Sequence, residues 1–158
     1  MRRFSYPARD GHSALRRGRA DVEQQIYHVT VTTLGRNPVF VGYEAASAAS
    51  RAFETPAFLG DASLLAWVLM PDHAHWLLQL GARDSLVTVV ARLKSASARH
   101  ANLALRSQGS LWSRAFHDHA LRRDEDVVAT AQYIIANPIR AGLVERVGDY
   151  PFWNTVWL

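Results

Sequence analysis

An α+β fold follows from three features of this 158-residue sequence. Apolar and polar residues alternate in several short segments, which marks half-buried strands. Between those segments the apolar residues recur at spacings of three and four, which marks helices. Two of the strand segments are joined by only two residues, so they form an antiparallel hairpin. Hydrophobic residues make up 49% of the chain and charged ones 20%, a balance that favours one packed domain over a disordered chain.

Residues 1–23 have no apolar period and carry Arg2, Arg3, Arg9, Arg16, Arg17 and Arg19, so they read as a basic arm. Over residues 25–34, Tyr27, Val29 and Val31 point one way while His28, Thr30 and Thr32 point the other: a half-buried strand. Gly35 to Pro38 break the pattern. Residues 43–58 are Ala-rich, with Phe53 and Phe58 on the apolar side, and read as a helix. Two strands follow, over 63–70 and 73–80, turning at Pro71-Asp72. Asp84 or Ser85 caps the next helix, which runs to about Leu105 with Leu86, Val89, Val90 and Leu93 on one stripe and Arg92, Lys94, Arg99 and Arg106 elsewhere. Residues 115–122 read as a fourth strand. Asp124 then caps a helix whose regular part ends before Pro138.

The order strand, helix, strand, strand, helix, strand is that of a ferredoxin-like (split βαβ) domain. It has a four-stranded antiparallel sheet, two crossover helices on one face and an added C-terminal helix. The chain divides into the arm (1–23), the ferredoxin-like core (24–122) and a C-terminal helix with its tail (123–158).

Composition narrows the function without deciding it. There is no cysteine, which excludes a disulfide framework and a thiolate metal site. No run is long enough for a membrane span, and the N-terminus lacks the apolar stretch of a signal peptide, so a cytoplasmic protein is expected. Of the 18 basic residues only Lys94 is a lysine. Arginine forks match phosphate bidentately and stack on bases, which suits a nucleic-acid partner. A GC-rich genome produces the same bias.

The strand from His73 to Leu80 carries the chemistry. Alternation places His73, His75, Leu77 and Gln79 on one face and Ala74, Trp76, Leu78 and Leu80 on the other. The second set is the better core face. The two imidazoles then stand side by side on the open face, spaced to bind one cation, and His28 can share that face. His-x-His spacing alone equally fits an exposed pair without metal. On the last helix, Val127, Val128, Ala131, Ile134 and Ile135 form the apolar stripe. Tyr133 and Asn137 fall on the opposite side at i and i+4. A tyrosine kept only for packing belongs on the stripe; a plain surface tyrosine fits as well. Asn137 precedes Pro138, so its own conformation is expected to leave the helical region.

Two segments, Leu69-Met70-Pro71-Asp72-His73-Ala74-His75-Trp76-Leu77-Leu78 and Tyr133-Ile134-Ile135-Ala136-Asn137-Pro138-Ile139-Arg140-Ala141-Gly142-Leu143-Val144, closely resemble the REP-associated tyrosine transposases. These are single-domain relatives of the single-tyrosine transposases of the HUH endonuclease class. Leu15-Arg16-Arg17-Gly18-Arg19, Tyr27-His28-Val29-Thr30 and the stretch from Leu111-Trp112 through Phe116-His117-Asp118-His119-Ala120-Leu121-Arg122 match in the same order. The resemblance implies that Tyr133 is the nucleophile and that His73 and His75 bind a divalent metal, Mg²⁺ or Mn²⁺. It implies that Asn137 presents its amide to that metal, and that the substrate is a single-stranded DNA hairpin of a REP-like palindrome. Arg16, Arg17, Arg19, His28, Lys94, Arg99 and His119 are the expected DNA contacts. The enzyme so implied acts in the cytoplasm at the nucleoid, as a monomer or homodimer.

A phenol titrates near pH 10 and needs help to attack phosphorus at neutral pH, which is what a metal between two neutral imidazoles provides. Trp112, Trp153 and Trp157 can stack unpaired bases, although two of the three are expected in the core. Two other functions fit the same pattern. One is a non-catalytic single-stranded nucleic-acid-binding module, although such sheets display aromatic residues rather than histidines. The other is a metal-dependent phosphodiesterase with a water nucleophile.

Overall fold

The computed structural model describes residues 24–157. Strand β1 (Ile26–Thr32) leads through two 3₁₀ turns to helix α1 (Tyr43–Phe53) and the short helix α2 (Pro56–Leu59). Strands β2 (Ser63–Met70) and β3 (His73–Gln79) form the hairpin, followed by the long helix α3 (Leu86–Leu105) and strand β4 (His117–Ala120). Helix α4 (Val127–Ile135), the one-turn helix α5 (Asn137–Arg140) and strand β5 (Trp153–Thr155) complete the described chain.

The strands make one antiparallel sheet in the order β4-β1-β3-β2-β5. All four expected strands are present and the hairpin turns at Pro71-Asp72, with Met70 paired to His73. The fifth strand was not foreseen. It is three residues long, too short for alternation to register, and is held by pairing to β2 through Ala66, Trp67 and Val68.

Each face of the sheet has its own core. On one, Tyr27, Val29 and Val31 of β1, Trp67 and Leu69 of β2, and Ala74, Trp76 and Leu78 of β3 pack beneath α1 and α3. Leu86, Val89, Val90 and Leu93 are the stripe of α3 that meets them. Ser85 caps this helix, its hydroxyl accepting from the Thr88 N–H at 3.1 Å.

The opposite face, expected to be open, is partly covered. Ala66, Val68 and Met70 of β2 and Leu77 of β3 form a second apolar cluster with Ala131 and Ile134 of α4. The helix packs where β2 and β3 present aliphatic side chains, because there it buries its own stripe.

Three local expectations are corrected. The helix expected over 43–58 is two pieces, because Thr55-Pro56 interrupts it and restarts the chain with proline in the first turn. The cap of α4 is Asp126 rather than Asp124, its carboxylate accepting from the Ala129 N–H at 3.0 Å. Asn137 does not leave the helical region before Pro138. The helix pauses at Ala136 and Asn137–Arg140 adds one further turn.

Candidate active site

The face of the sheet beneath α4 gathers the polar residues that alternation predicted. Register sets Thr30 opposite His75, Thr32 opposite His73 and His28 opposite Leu77 between β1 and β3. On the other side of β1, His28 lies opposite His119 and Thr30 opposite His117. Directly paired residues share a face, so five histidines from three strands line one surface.

The two histidines of β3 are held in similar ways. The Nδ1 of His73 stands 2.8 Å from the Asp72 carboxylate, which is also bound by Arg36 at 3.1 Å. The Nδ1 of His75 lies 3.0 Å from both His28 Nε2 and Thr30 Oγ1. The His73 and His75 rings are edge to face, their centroids 5.0 Å apart. The carboxylate partner makes His73 Nδ1 a donor and so leaves its Nε2 with the lone pair; His75 reaches the same state when its Nδ1 donates to His28 Nε2 or Thr30 Oγ1.

Burial decides the protonation. His28 is 5% exposed and desolvation takes its pKa down to about 3, with His119 and Arg140 adding to the effect. Desolvation likewise puts His75 well below the usual imidazole range, helped by the charges of His28, His73 and Arg140. His73 is lowered by desolvation, against the opposing pull of the Asp72 carboxylate. All three rings are therefore neutral near pH 7, the form that binds metals.

Tyr133 sits on α4 away from the stripe of Ala131 and Ile134, and is partly exposed. The guanidinium of Arg140 stacks on its ring, with Cζ 3.7 Å from the centroid. The charge of Arg140 also acts on His28 and His75, and α4 packs on the same face of the sheet as the histidines. Asn137 donates its amide N–H to the Ile134 carbonyl at 2.8 Å, an anchor that fixes the side chain and leaves its oxygen as the acceptor atom. Among the described residues no three His, Asp or Glu side chains are grouped to hold a metal ion.

A family model described as "Transposase IS200 like" matches residues 21–137. The chain belongs to this transposase family. A REP-associated tyrosine transposase of Escherichia coli K12 is 32% identical over 89 residues, covering 55% of this chain and 50% of that protein. A Haemophilus influenzae protein provisionally given the same name is 32% identical over 94 residues, 53% of each chain. The chain thus spans about half the length of these relatives. The solved structure of a REP-associated tyrosine transposase bound to a REP hairpin superposes with a TM-score of 0.63. It covers 85% of this chain and 79% of that one at 24% identity, which shows a shared fold.

Within the chain, the expected DNA contacts are scattered. Arg16, Arg17 and Arg19 lie outside the described residues. His28, expected at the DNA, is instead buried against His75, where it serves the neighbouring ring. Lys94 and Arg99 belong to α3, on the far face of the sheet from the histidines. Lys94 is already engaged, donating to the carbonyls of Ser113 and Arg114. His119 does lie on the histidine face, 2.9 Å from Glu125. Of the three tryptophans, Trp112 is buried and bonds Ser97, Trp153 is half-buried and bonds the Val147 carbonyl, and Trp157 is exposed. No helix of the described residues is long and apolar enough to cross a membrane.

Sequence reasoning gave no role to Asp72, Thr30, Glu125 or Arg140. Asp72 was read only as a turn residue, though it adjoins His73. Arg140 is seven residues beyond Tyr133, two helical turns on and thus on its face, a spacing that could have drawn attention.

Proposed function

We propose that the protein is a metal-dependent single-stranded DNA endonuclease and strand transferase, acting on palindromic-repeat hairpins through a 5′-phosphotyrosine. The observation that carries this reading is the pair of neutral, Nδ1-anchored histidines on β3, on the sheet face over which α4 presents Tyr133 and the Arg140 stacked on it. Membership of a transposase family and the hairpin bound to a protein of similar fold support the substrate class. The strand order β4-β1-β3-β2, with β5 at its edge and α4 on the face opposite α1 and α3, supports a ferredoxin-like reading of the sheet.

His73 and His75, with the Asn137 amide oxygen, would hold a divalent cation such as Mg²⁺ or Mn²⁺. A cation so held would supply Lewis-acid polarisation of the scissile phosphate. Asp72 and the His28–Thr30 pair hold the two imidazoles in the tautomer that keeps Nε2 unprotonated. Tyr133 attacks phosphorus. Its Oη–P bond forms as the P–O3′ bond breaks, the phenolic proton is lost and the departing 3′ oxygen gains one. The phosphotyrosine ester retains the energy of the broken bond, so a later 3′-hydroxyl can rejoin the strands.

The double variant His73→Ala, His75→Ala tests the reading. It should fold and bind hairpin DNA but lose cleavage by at least about a hundredfold, as expected when a group acting in the transition state is removed. Cleavage at the wild-type rate in excess Mg²⁺ or Mn²⁺ would remove the metal site from the proposal.

A further inference from the structure

Arg140 is in an unusual position for a cation. It is the last residue of the one-turn helix α5, its guanidinium stacked 3.7 Å above the Tyr133 ring. Among the described residues no carboxylate pairs with it, and what sets it apart from the other unpaired arginines is its seat on the Tyr133 ring. Its neighbours instead are a phenol and, through its charge, His28 and His75. Partial desolvation weakens its hold on its proton. The residue remains exposed, so its guanidinium is open to an incoming anion.

We propose that Arg140 is a catalytic residue that grips a nonbridging oxygen of the scissile phosphate beside Tyr133. This rests on the transferase reading above and adds a group to it. Stacking on the ring leaves the guanidinium edge, with its N–H fork, free to meet phosphate. As the Tyr133 Oη–P bond forms and the P–O3′ bond breaks, charge builds on the equatorial oxygens, where fixed donors act most strongly. The same side chain thus places the nucleophile's ring and neutralises the group it attacks.

The test compares wild type, Arg140→Gln and Arg140→Lys on a hairpin whose single-stranded foot carries either phosphate or a neutral methylphosphonate at the scissile position. Arg140→Gln should slow adduct formation on phosphate by about 10²-fold, the size found for a lost oxyanion donor. Arg140→Lys, keeping charge but not the fork, should recover about tenfold of that. One methylphosphonate stereoisomer should slow the wild type strongly and Arg140→Gln little further, because the two changes remove the same contact. Penalties that multiply in full, or an unchanged rate in Arg140→Gln, would overturn the assignment.

Binding is measured in parallel. Wild type should bind the phosphate foot more tightly than that isomer, and Arg140→Gln should lose the preference. If the wild type binds but forms no adduct, the transferase reading fails alone. The binding preference then still decides for or against the Arg140 contact. Melting temperatures of both variants identify any loss caused by unfolding.

Discussion

The His73 imidazole is oriented by the Asp72 carboxylate 2.8 Å from its Nδ1, and Arg36 fixes that carboxylate from its other side. A partner of this kind sets the tautomer of a metal-binding histidine, and its loss commonly weakens metal affinity 10- to 100-fold, on the order seen in other sites. Asp72→Asn should therefore weaken Mn²⁺ binding by about tenfold or more, read by calorimetry, with the melting temperature little changed. Unaltered affinity would mean that the carboxylate does not orient the ring. Tyr150 gives a second prediction at this scale. Its hydroxyl donates to the Leu69 carbonyl, and burial pushes its pKa up to about 12. The folded chain keeps that proton over a range where the unfolded phenol, near pH 10, has lost it. Stability from this group is present below pH 10 and disappears as pH rises from 10 to 12. Tyr150→Phe should cost about 1 kcal/mol at neutral pH and flatten the alkaline decline, both read from urea midpoints. The faces taken by His73, His75 and Tyr133 were legible because alternation and helical phase assign faces directly. Asp72 and Arg140 were not, since a side chain's partner depends on turns whose path the pattern leaves open.

At the scale of elements, α4 matters most, because it carries Tyr133 and covers part of the histidine face. Asp126 caps it, and Ile134, fully buried, sets it on Ala66, Val68, Met70 and Leu77. Ile134→Ala leaves a cavity under the helix and should cost about 2–5 kcal/mol of stability. Because Tyr133 is the adjacent residue, cleavage should fall further than hairpin affinity does. Equal losses in both would show that the helix positions nothing for the reaction. The stripe of this helix was readable from Ala131, Ile134 and Ile135. Its end was not: Pro138 signals a stop, yet the chain pauses only at Ala136 and turns once more to deliver Arg140. Strand β4 is likewise shorter than alternation over 115–122 suggested, because only His117–Ala120 pair with β1.

Across the whole molecule, the sheet separates stability from chemistry. One face is sealed by α1 and α3 over a core that includes Trp76, Leu78 and Val29. The other is divided between an aliphatic patch under α4 and the histidine surface of β1, β3 and β4. This division was visible in β3 alone, where Ala74, Trp76 and Leu78 alternate with His73, His75 and Leu77. The extent of cover was not, since alternation says which face a residue takes but not what docks there. The central claim is that Tyr133 becomes covalently bound to DNA within this arrangement. Its most direct measurement incubates the protein with a hairpin bearing a single-stranded foot and Mg²⁺ or Mn²⁺, then maps any adduct that survives denaturation. The nucleotide should lie on the peptide containing Tyr133, and Tyr133→Phe should bind the hairpin yet form no adduct. An adduct on Tyr6, Tyr27, Tyr43 or Tyr150 would contradict the account, as would cleavage with no adduct or full activity in the phenylalanine variant.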